Sequence, residues 1–378
     1  MGPLAGIKII EMKGIGPGPY AGQLLGDLGA EVIVIERAST PNSIAPPSAM
    51  DINSRGKKSL ALDIKKAQGL ETLLALVASA DVIFEGNRPG VAERLGFGPE
   101  ICLQRNPKII YGRMTGWGQE GPLAQFAGHD YNFLSLSGAA AAIGSKERPI
   151  PPLNLVGDYA GGSLFLVVGI LSALLEVKKS GKGQVVDAAI TDGAAHLMSF
   201  FYGLSRFGAW NTQREENLLD GGAPFYAAYP TADDKYVAVA AIEPKFFAEL
   251  IALTGLPEEF IQNQHNRQQW PAMKEAFKHL FGSKTRDQWS AVFSGSNACV
   301  TAILDYEEAV KHPHNEARST FIDIDEQVQP APAPRFSRSH CAVPSAPSAE
   351  GADTKTVLAS WGFDAAQIEE LERQGVLT

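Results

Sequence analysis

Cysteine is scarce in this chain, with three in 378 residues, Cys102, Cys299 and Cys341, all far apart. An odd number at such spacing builds neither a disulfide framework nor a zinc knuckle, and it points to a reducing compartment. Basic charge is also short: 33 Lys and Arg stand against 42 Asp and Glu, for a net charge of -9. Binding nucleic acid requires a basic face that displaces counterions, so the balance argues against such a partner. The longest apolar run, "LFLVVGILSALL" at 164–175, falls below the roughly 18 residues of a membrane span and reads as a buried helix; no membrane partner is expected. No repeat of solenoid period is visible, the amino end has no signal-peptide pattern and the end "GVLT" is no peroxisomal address, so the expected location is cytoplasmic.

What is present is a globular composition, 45% hydrophobic and 20% charged, in a chain long enough for two domains. Across the first 190 residues, "IKIIEM", "EVIVIER", "DVIFEG", "KIIYGRM" and "QVVDAAI" alternate with helical stretches at 18–29, 66–79 and 158–179. This alternation predicts βαβ units and a mostly parallel sheet. The fold class is α/β: a large Rossmann-like domain at 1–203, a polar linker at 204–224, and a small α+β domain at 225–329 that opens with the strand pair "FYAAYP" and "KYVAVAA". A Pro-, Ala- and Ser-rich return at 330–352 leads to carboxyl-terminal helices at 353–378, where Asp364, Gln367 and Gly375 supply caps; these helices are expected to dock on the large domain.

The stretch "GPGPYA", 16–21, satisfies a dinucleotide-binding pattern and is followed by Glu36 about twenty residues on. Pro17 and Pro19 carry no N–H with which to cradle a pyrophosphate, so the stretch reads instead as a tight strand-to-helix turn.

Two ionisable groups, His129 and Asp130, head the small apolar run "FAGHDYNFLSLSG". Asp158, 29 residues beyond His129, sits where a turn feeds the long apolar helix. It is either an N-cap or a carboxylate placed among free amides where an anion develops, with Gly157, Gly161 and Gly162 letting a ligand approach the backbone. His129 reads as a helix-start histidine or a base, Asp130 as a local cap, and Glu243 as first-turn decoration before Pro244 or a functional acid. Arg37 ends the second strand, Arg55, Lys57 and Lys58 cluster in "NSRGKKSLALDIKK", and Arg88 heads the turn "NRPG" after the third strand; these read as solvated surface charge or, because α/β sheets bind ligands at the carboxyl ends of their strands, Arg37 and Arg88 as placed to meet phosphates.

In order, "GAEVIVIER", "SRGKKSLALDIK", "NRPGVAERLGFGPE", "GRMTGWGQEGP", "AGHDYNFLSLSG", "PPLNLVGDYAGG" and "GKGQVVDAAITDG" resemble the family III CoA-transferase superfamily, and within it the racemase branch. The resemblance runs through nearly all of the first 200 residues and is looser beyond them, mainly at "AIEPKFF". It implies a large Rossmann-like domain built from both chain ends and an interlocked homodimer. It also implies inversion of the α-carbon of 2-methylacyl-CoA thioesters, with His129 and Asp158 as the proton-transfer pair and Glu243 supporting the histidine. CoA phosphates would meet Arg37 and Arg88; Leu62, Asp63, Ile64 and Lys65, with Val82 and Ile83 at the end of the third strand, would line the nucleotide. Gly128, Asp130, Tyr131, Asn132 and Phe133 would follow the pantetheine. No metal or bound redox cofactor is implied, the CoA thioester being the substrate.

Inverting a carbon beside a thioester requires a base on each face, and a reversible enzyme gains if burial raises the aspartate toward the histidine. The racemase pattern usually continues past GHD with a branched aliphatic, Asn and Tyr, whereas Tyr131 and Phe133 move or remove a hydroxyl here. Two other readings stand beside it. In a family III CoA-transferase Asp158 attacks the thioester as nucleophile, but that branch usually has Tyr before the aspartate and Gln-Ala after it, unlike His129 and Asn132. The other reading is a non-catalytic CoA-binding protein.

Overall fold

The computed structural model of the chain describes residues 1–36 and 47–377. It divides into two compact units: Met1–Ser137, Leu153–Leu197 and Glu316–Thr378 in the first, Gly138–Pro152 and Met198–Asn315 in the second.

The first unit is built on a six-stranded parallel sheet: β1 (Lys8–Met12), β2 (Glu31–Glu36), β3 (Lys58–Ala61), β4 (Val82–Glu85), β5 (Ile110–Thr115) and β6 (Gln184–Ala189). Their spatial order is β3-β2-β1-β4-β5-β6. The order reverses between β1 and β4, which is where doubly wound sheets open a crevice at their carboxyl ends. Helices α1 (Pro17–Asp27), α2 (Ala67–Ser79), α3 (Val91–Leu95) and α4 (Pro99–Arg105) make the crossovers. Next come α5 (Asp130–Leu136) and, in the second unit, the short α6 (Ala139–Ala142). A π-helix at Leu155–Ser163 then runs directly into α7 (Leu164–Ser180), and α8 (Ile190–Leu197) follows β6.

Side chains alternate across the pleat, and both faces of the central strands are covered, so their middles are apolar on either side. Ile10, Ile33, Leu60 and Ile83 bury one face with Leu73 and Val77 of α2, together with Val357, Leu358, Trp361, Ile368 and Leu371 from the carboxyl-terminal helices. Ile9, Val32, Val82, Phe84 and Ile110 bury the other with Ala21 and Leu25 of α1 and Leu166, Ile170 and Ala173 of α7. Gly112 in β5 leaves room for this packing, since a Cβ there would meet Leu166 Cδ1 at 3.0 Å. The free edge of β3 is sealed by the returning chain: Ser59 N–H donates to Asp353, Ala61 N–H to Thr354 Oγ1, and Asp63 N–H to the Val376 carbonyl.

The second unit holds α9 (Ser199–Arg206) and an antiparallel sheet of β7 (Tyr226–Pro230), β8 (Tyr236–Ala240) and β9 (Val300–Ile303), in that order, with α10 (Pro244–Thr254) after β8. Its core is aromatic, built on Phe225, Phe247, Phe277, Phe281 and Trp289.

Several details depart from the sequence expectations. Both chain ends contribute to the first unit, but all six strands of its sheet come from residues 8–189. Strand β3 falls inside what reads as a basic cluster, and β9 adds a third strand to the expected pair. The second unit takes in 138–152 and ends at Asn315, so the hairpin Phe321–Ile324 with Gln327–Pro330 belongs to the first. The polar stretch at 204–224 begins inside α9 and folds around buried Asn217, whose side chain donates to Asp220 and to the carbonyls of Asn211 and Gln213. The apolar helix is also longer than its sequence run. Leu155–Ser180 is continuous over 26 residues, long and apolar enough to cross a membrane by length and composition, and its inner face packs on the sheet.

Candidate active site

At the carboxyl end of the sheet, where the strand order reverses, lies a cleft of about 590 Å³, within the range of small-molecule and cofactor sites. All its walls belong to the first unit. Met12 at the end of β1 with 13–18 after it, Phe84 in β4 with 86–89 after it, and 114–117 across the end of β5 line it, and Ala124, 126–130, Phe133, Asp158 and Ile190 complete the wall.

His129 and Asp158 both face this cleft. His129 is the N-cap of α5, in extended conformation, and its backbone N–H donates to Asn132 Oδ1 at 3.1 Å. Asn132 therefore fixes the entry of the chain into α5, and the imidazole at the cap is exposed to the cleft. Asp158 lies in the π-helix, half-buried. The two elements are joined by Asp130, the first residue of α5: its Oδ1 accepts the Asp158 backbone N–H at 2.6 Å, and the Gly157 amide also donates to this carboxylate. A Cβ on Gly157 would come within 2.2 Å of Asp130 Oδ1, so only glycine admits the carboxylate to the helix start.

Burial pushes the Asp158 carboxyl up to about 6; the neighbouring Asp130 charge adds to the rise, while a hydrogen bond from Asn154 and the nearby His129 oppose it. Asp130 is raised as well, mainly by burial, against the two amides it accepts. Gly16 stands against Asp158 from the α1 side: a Cβ there would lie 3.0 Å from Oδ2, and its φ of +69° is in the region that favours glycine. Ser163 Oγ ties the same elements by donating to the Pro17 carbonyl at 2.7 Å, and Tyr20 of α1 stacks on Tyr159 at 4.3 Å. The motif "GPGPYA" thus shapes the approach of α1 to Asp158. Glu36, its nominal ribose ligand, is buried and occupied by Ser48, Ser59 and Lys13.

Of the residues picked from sequence, Arg88, Gly128, His129, Asp130, Phe133 and Asp158 line the cleft. Arg88 is exposed and has no ion pair among the described residues. Arg37 lies outside the described residues. Leu62, Val82 and Ile83 are corrected: each is wholly buried, at 0% exposure, and unavailable to a nucleotide. Val82 and Ile83 begin β4, whose carboxyl end is Glu85. Asp63, Ile64 and Lys65 are at least partly accessible beyond the carboxyl end of β3, outside the cleft lining.

Tyr131 and Asn132 are not part of the wall either. Phe133 is almost fully buried, edge-on to Trp117 at 4.7 Å and tight against Gly116 and Gly128, so it holds the His129 loop as a packing wedge. Glu243 is the exposed N-cap of α10 in the second unit, not a cleft residue. Gly161 and Gly162 serve helix packing: Cβ atoms there would press on Ala194 of α8 and on Ile190. Sequence reasoning missed Met12, Lys13, Met114 and Trp117 on the wall, although their places after β1 and at the end of β5 are the signal that finds them.

The family model described as CoA-transferase family III matches residues 4–354. The chain belongs to CoA-transferase family III. Among relatives of this family III chain, a mouse protein named alpha-methylacyl-CoA racemase (Mus musculus) is 44% identical over 99% of this chain and 97% of its own length. The human protein of the same name (Homo sapiens) is 41% identical, with the same coverage of each. A crystal structure of a CAIB/BAIF family protein from Brucella suis superposes with a TM-score of 0.82 at 25% identity, over 95% of this chain and 99% of that one.

Proposed function

We infer that this family III protein racemises 2-methylacyl-CoA thioesters by moving a proton between the two faces of the α-carbon. The observation that carries this reading is the pair His129 and Asp158 in one cleft, with the Asp158 carboxyl pushed up to about 6, the range in which imidazoles ordinarily titrate. A carboxyl raised in this way can give up its proton in one direction and take one back in the other near neutral pH. The two racemases at 44% and 41% identity support the same conclusion.

In one direction neutral His129 takes the α-proton, the electrons move onto the thioester oxygen as an enolate, and protonated Asp158 delivers its proton to the opposite face. In the other direction Asp158 is the base and the imidazolium the acid. Both directions draw on the singly protonated pair, so the rate falls when both groups are protonated and again when neither is. Arg88, and Arg37 with it, would hold CoA phosphates. The three free cysteines support a reducing, cytoplasmic setting. No metal or redox group takes part in any step of this scheme.

The working state is proposed as an interlocked homodimer. Leu164, Val168 and Leu175, exposed by 45%, 60% and 64%, share the outer face of α7 beside β6, the last strand of the sheet among the described residues. A second copy would cover this apolar strip, and light scattering at micromolar concentration should read twice the mass of 40.4 kDa.

The test is incubation of single epimers of several 2-methylacyl-CoA esters in deuterated water, with and without an acceptor acid. Racemisation predicts α-deuterium and loss of optical purity without the acceptor. An unlabelled α-carbon with CoA moved to the acid would instead assign Asp158 as a transferase nucleophile, and binding with neither outcome would assign a non-catalytic CoA-binding protein.

A further inference from the structure

We propose that Asp130 is a positioning residue for this reaction: its carboxylate clamps the helix start that carries Asp158 to the helix start that carries His129, and supplies the negative charge under which Asp158 works. The inference rests on the racemase reading above and adds a group that touches no reacting atom.

Three observations converge on Asp130. It adjoins His129 as the first residue of α5, so any movement of its side chain is transmitted to the histidine through one peptide bond. Its Oδ1 accepts the Asp158 amide at 2.6 Å, and the Gly157 amide donates to it as well. These are orphan donors of a helix start, and a carboxylate is the strongest acceptor for them. Gly157 completes the fit, because any side chain there would occupy the place of the Asp130 carboxylate. Asp130 therefore caps the helix that bears the other base, and not its own.

The same geometry has an electrostatic effect. The charged groups that face Asp158 are Asp130 and His129, both from the start of α5. From α1 come the Gly16 backbone against the carboxylate and the Tyr20 ring against Tyr159, while α8 presents Gly193 and Ala194 to the π-helix. Among the described residues, Asp130 is thus the anionic neighbour that raises Asp158, adding to burial. Asp130→Asn keeps an oxygen for the amides and deletes the charge, whereas Asp130→Ala deletes both, so the two substitutions separate clamp from charge.

The test reads Asp158 directly, by carbon NMR of protein labelled at the aspartate carboxyl carbons, with the Asp158 signal identified from its loss in Asp158→Asn. In the parent the signal titrates near 6, and in Asp130→Asn its midpoint falls by about one unit, as removal of a like charge requires. In step with it, the acidic limb of the kcat/KM profile for α-exchange moves to lower pH. Asp130→Ala loses kcat by about tenfold to a hundredfold with KM little changed, the signature of misplaced groups. An Asp158 titration identical in parent and Asp130→Asn overturns the charge role, and an unchanged kcat in Asp130→Ala overturns the clamp. If the parent itself shows no exchange, the racemase reading fails separately, because the carbon titration needs no turnover.

Discussion

Replacing Gly16 by alanine asks whether "GPGPYA" exists to let α1 approach Asp158. Gly16 has φ +69° and ψ -118° at the N-cap of α1, a conformation that alanine adopts only at a cost of about 1–3 kcal/mol. The new methyl would also stand 3.0 Å from Asp158 Oδ2 and 3.7 Å from Cγ. Such contacts oblige the carboxylate to retreat by a few tenths of an ångström. Since a misplacement of about 1 Å costs a rate on the order of a hundredfold, a retreat of this size should lower kcat by about threefold to tenfold. A destabilisation of about 2 kcal/mol should lower Tm by about 4–8 °C in a unit of this size. The control is Gly26→Ala near the other end of the same helix, where the methyl meets only Val32 Cγ2 at 3.7 Å and the backbone is helical. That substitution should leave kcat unchanged and hold or raise Tm, because alanine is the better helix former. The assay is α-deuterium exchange beside thermal unfolding of both variants. Parent kcat in Gly16→Ala, with Tm lowered as expected, would show that the glycine relieves backbone strain and nothing else. Equal rate losses in both variants would refute the account of α1.

Arg88→Ala should raise KM for the acyl-CoA by about tenfold or more with kcat within a few-fold, since a contact to a remote phosphate is made equally before and during the reaction. Dephospho-CoA as competitor would then tell which phosphate is held, and an unchanged KM would remove Arg88 from the ligand. Lys57→Met should destabilise by about 3–5 kcal/mol near pH 8 and by less near pH 5, because it strands a buried carboxylate. Lys57 Nζ pairs with Glu11 at 2.6 Å, both almost fully buried, and burial already pushes Glu11 up. A carboxyl whose folded value is raised contributes stability only while protonated, so stability is lost as pH climbs above the ordinary glutamate value. A deficit independent of pH, by chemical denaturation at both values, would contradict this.

Much of the fold was legible because both faces of the sheet are covered, which turns its strands into β-branched runs such as "IKII" and "EVIVIE". β3 escaped because its four residues, "KSLA", follow Arg55 and Lys57, and their meaning depends on partners far along the chain. Arg55 pairs with Asp27 and Lys57 with Glu11, and both cations are buried, so what reads as a solvated basic patch is an internal brace. The chemistry of His129 and Asp158 was visible only through resemblance, since residues 29 positions apart meet by tertiary folding. The target of Asp130 was hidden for the same reason: an adjacent helix start is the obvious client of such a residue, but the amides it accepts lie in the π-helix of Asp158. Val82 and Ile83 were misplaced by strand direction. The apolar residues of "DVIFEG" are its buried body, and the end that opens to the cleft begins at Phe84.

The central claim is that two bases on opposite faces share one proton's work. The most direct measurement follows early turnover of one epimer in deuterated water and separates the two epimers before counting label. Because each base carries a single exchangeable proton, the account predicts deuterium in the newly formed epimer and almost none in the recovered starting epimer. The account also requires His129→Ala and Asp158→Ala each to abolish the exchange while CoA still binds. Equal labelling of both epimers from the first turnovers, or full exchange in either variant, would contradict it.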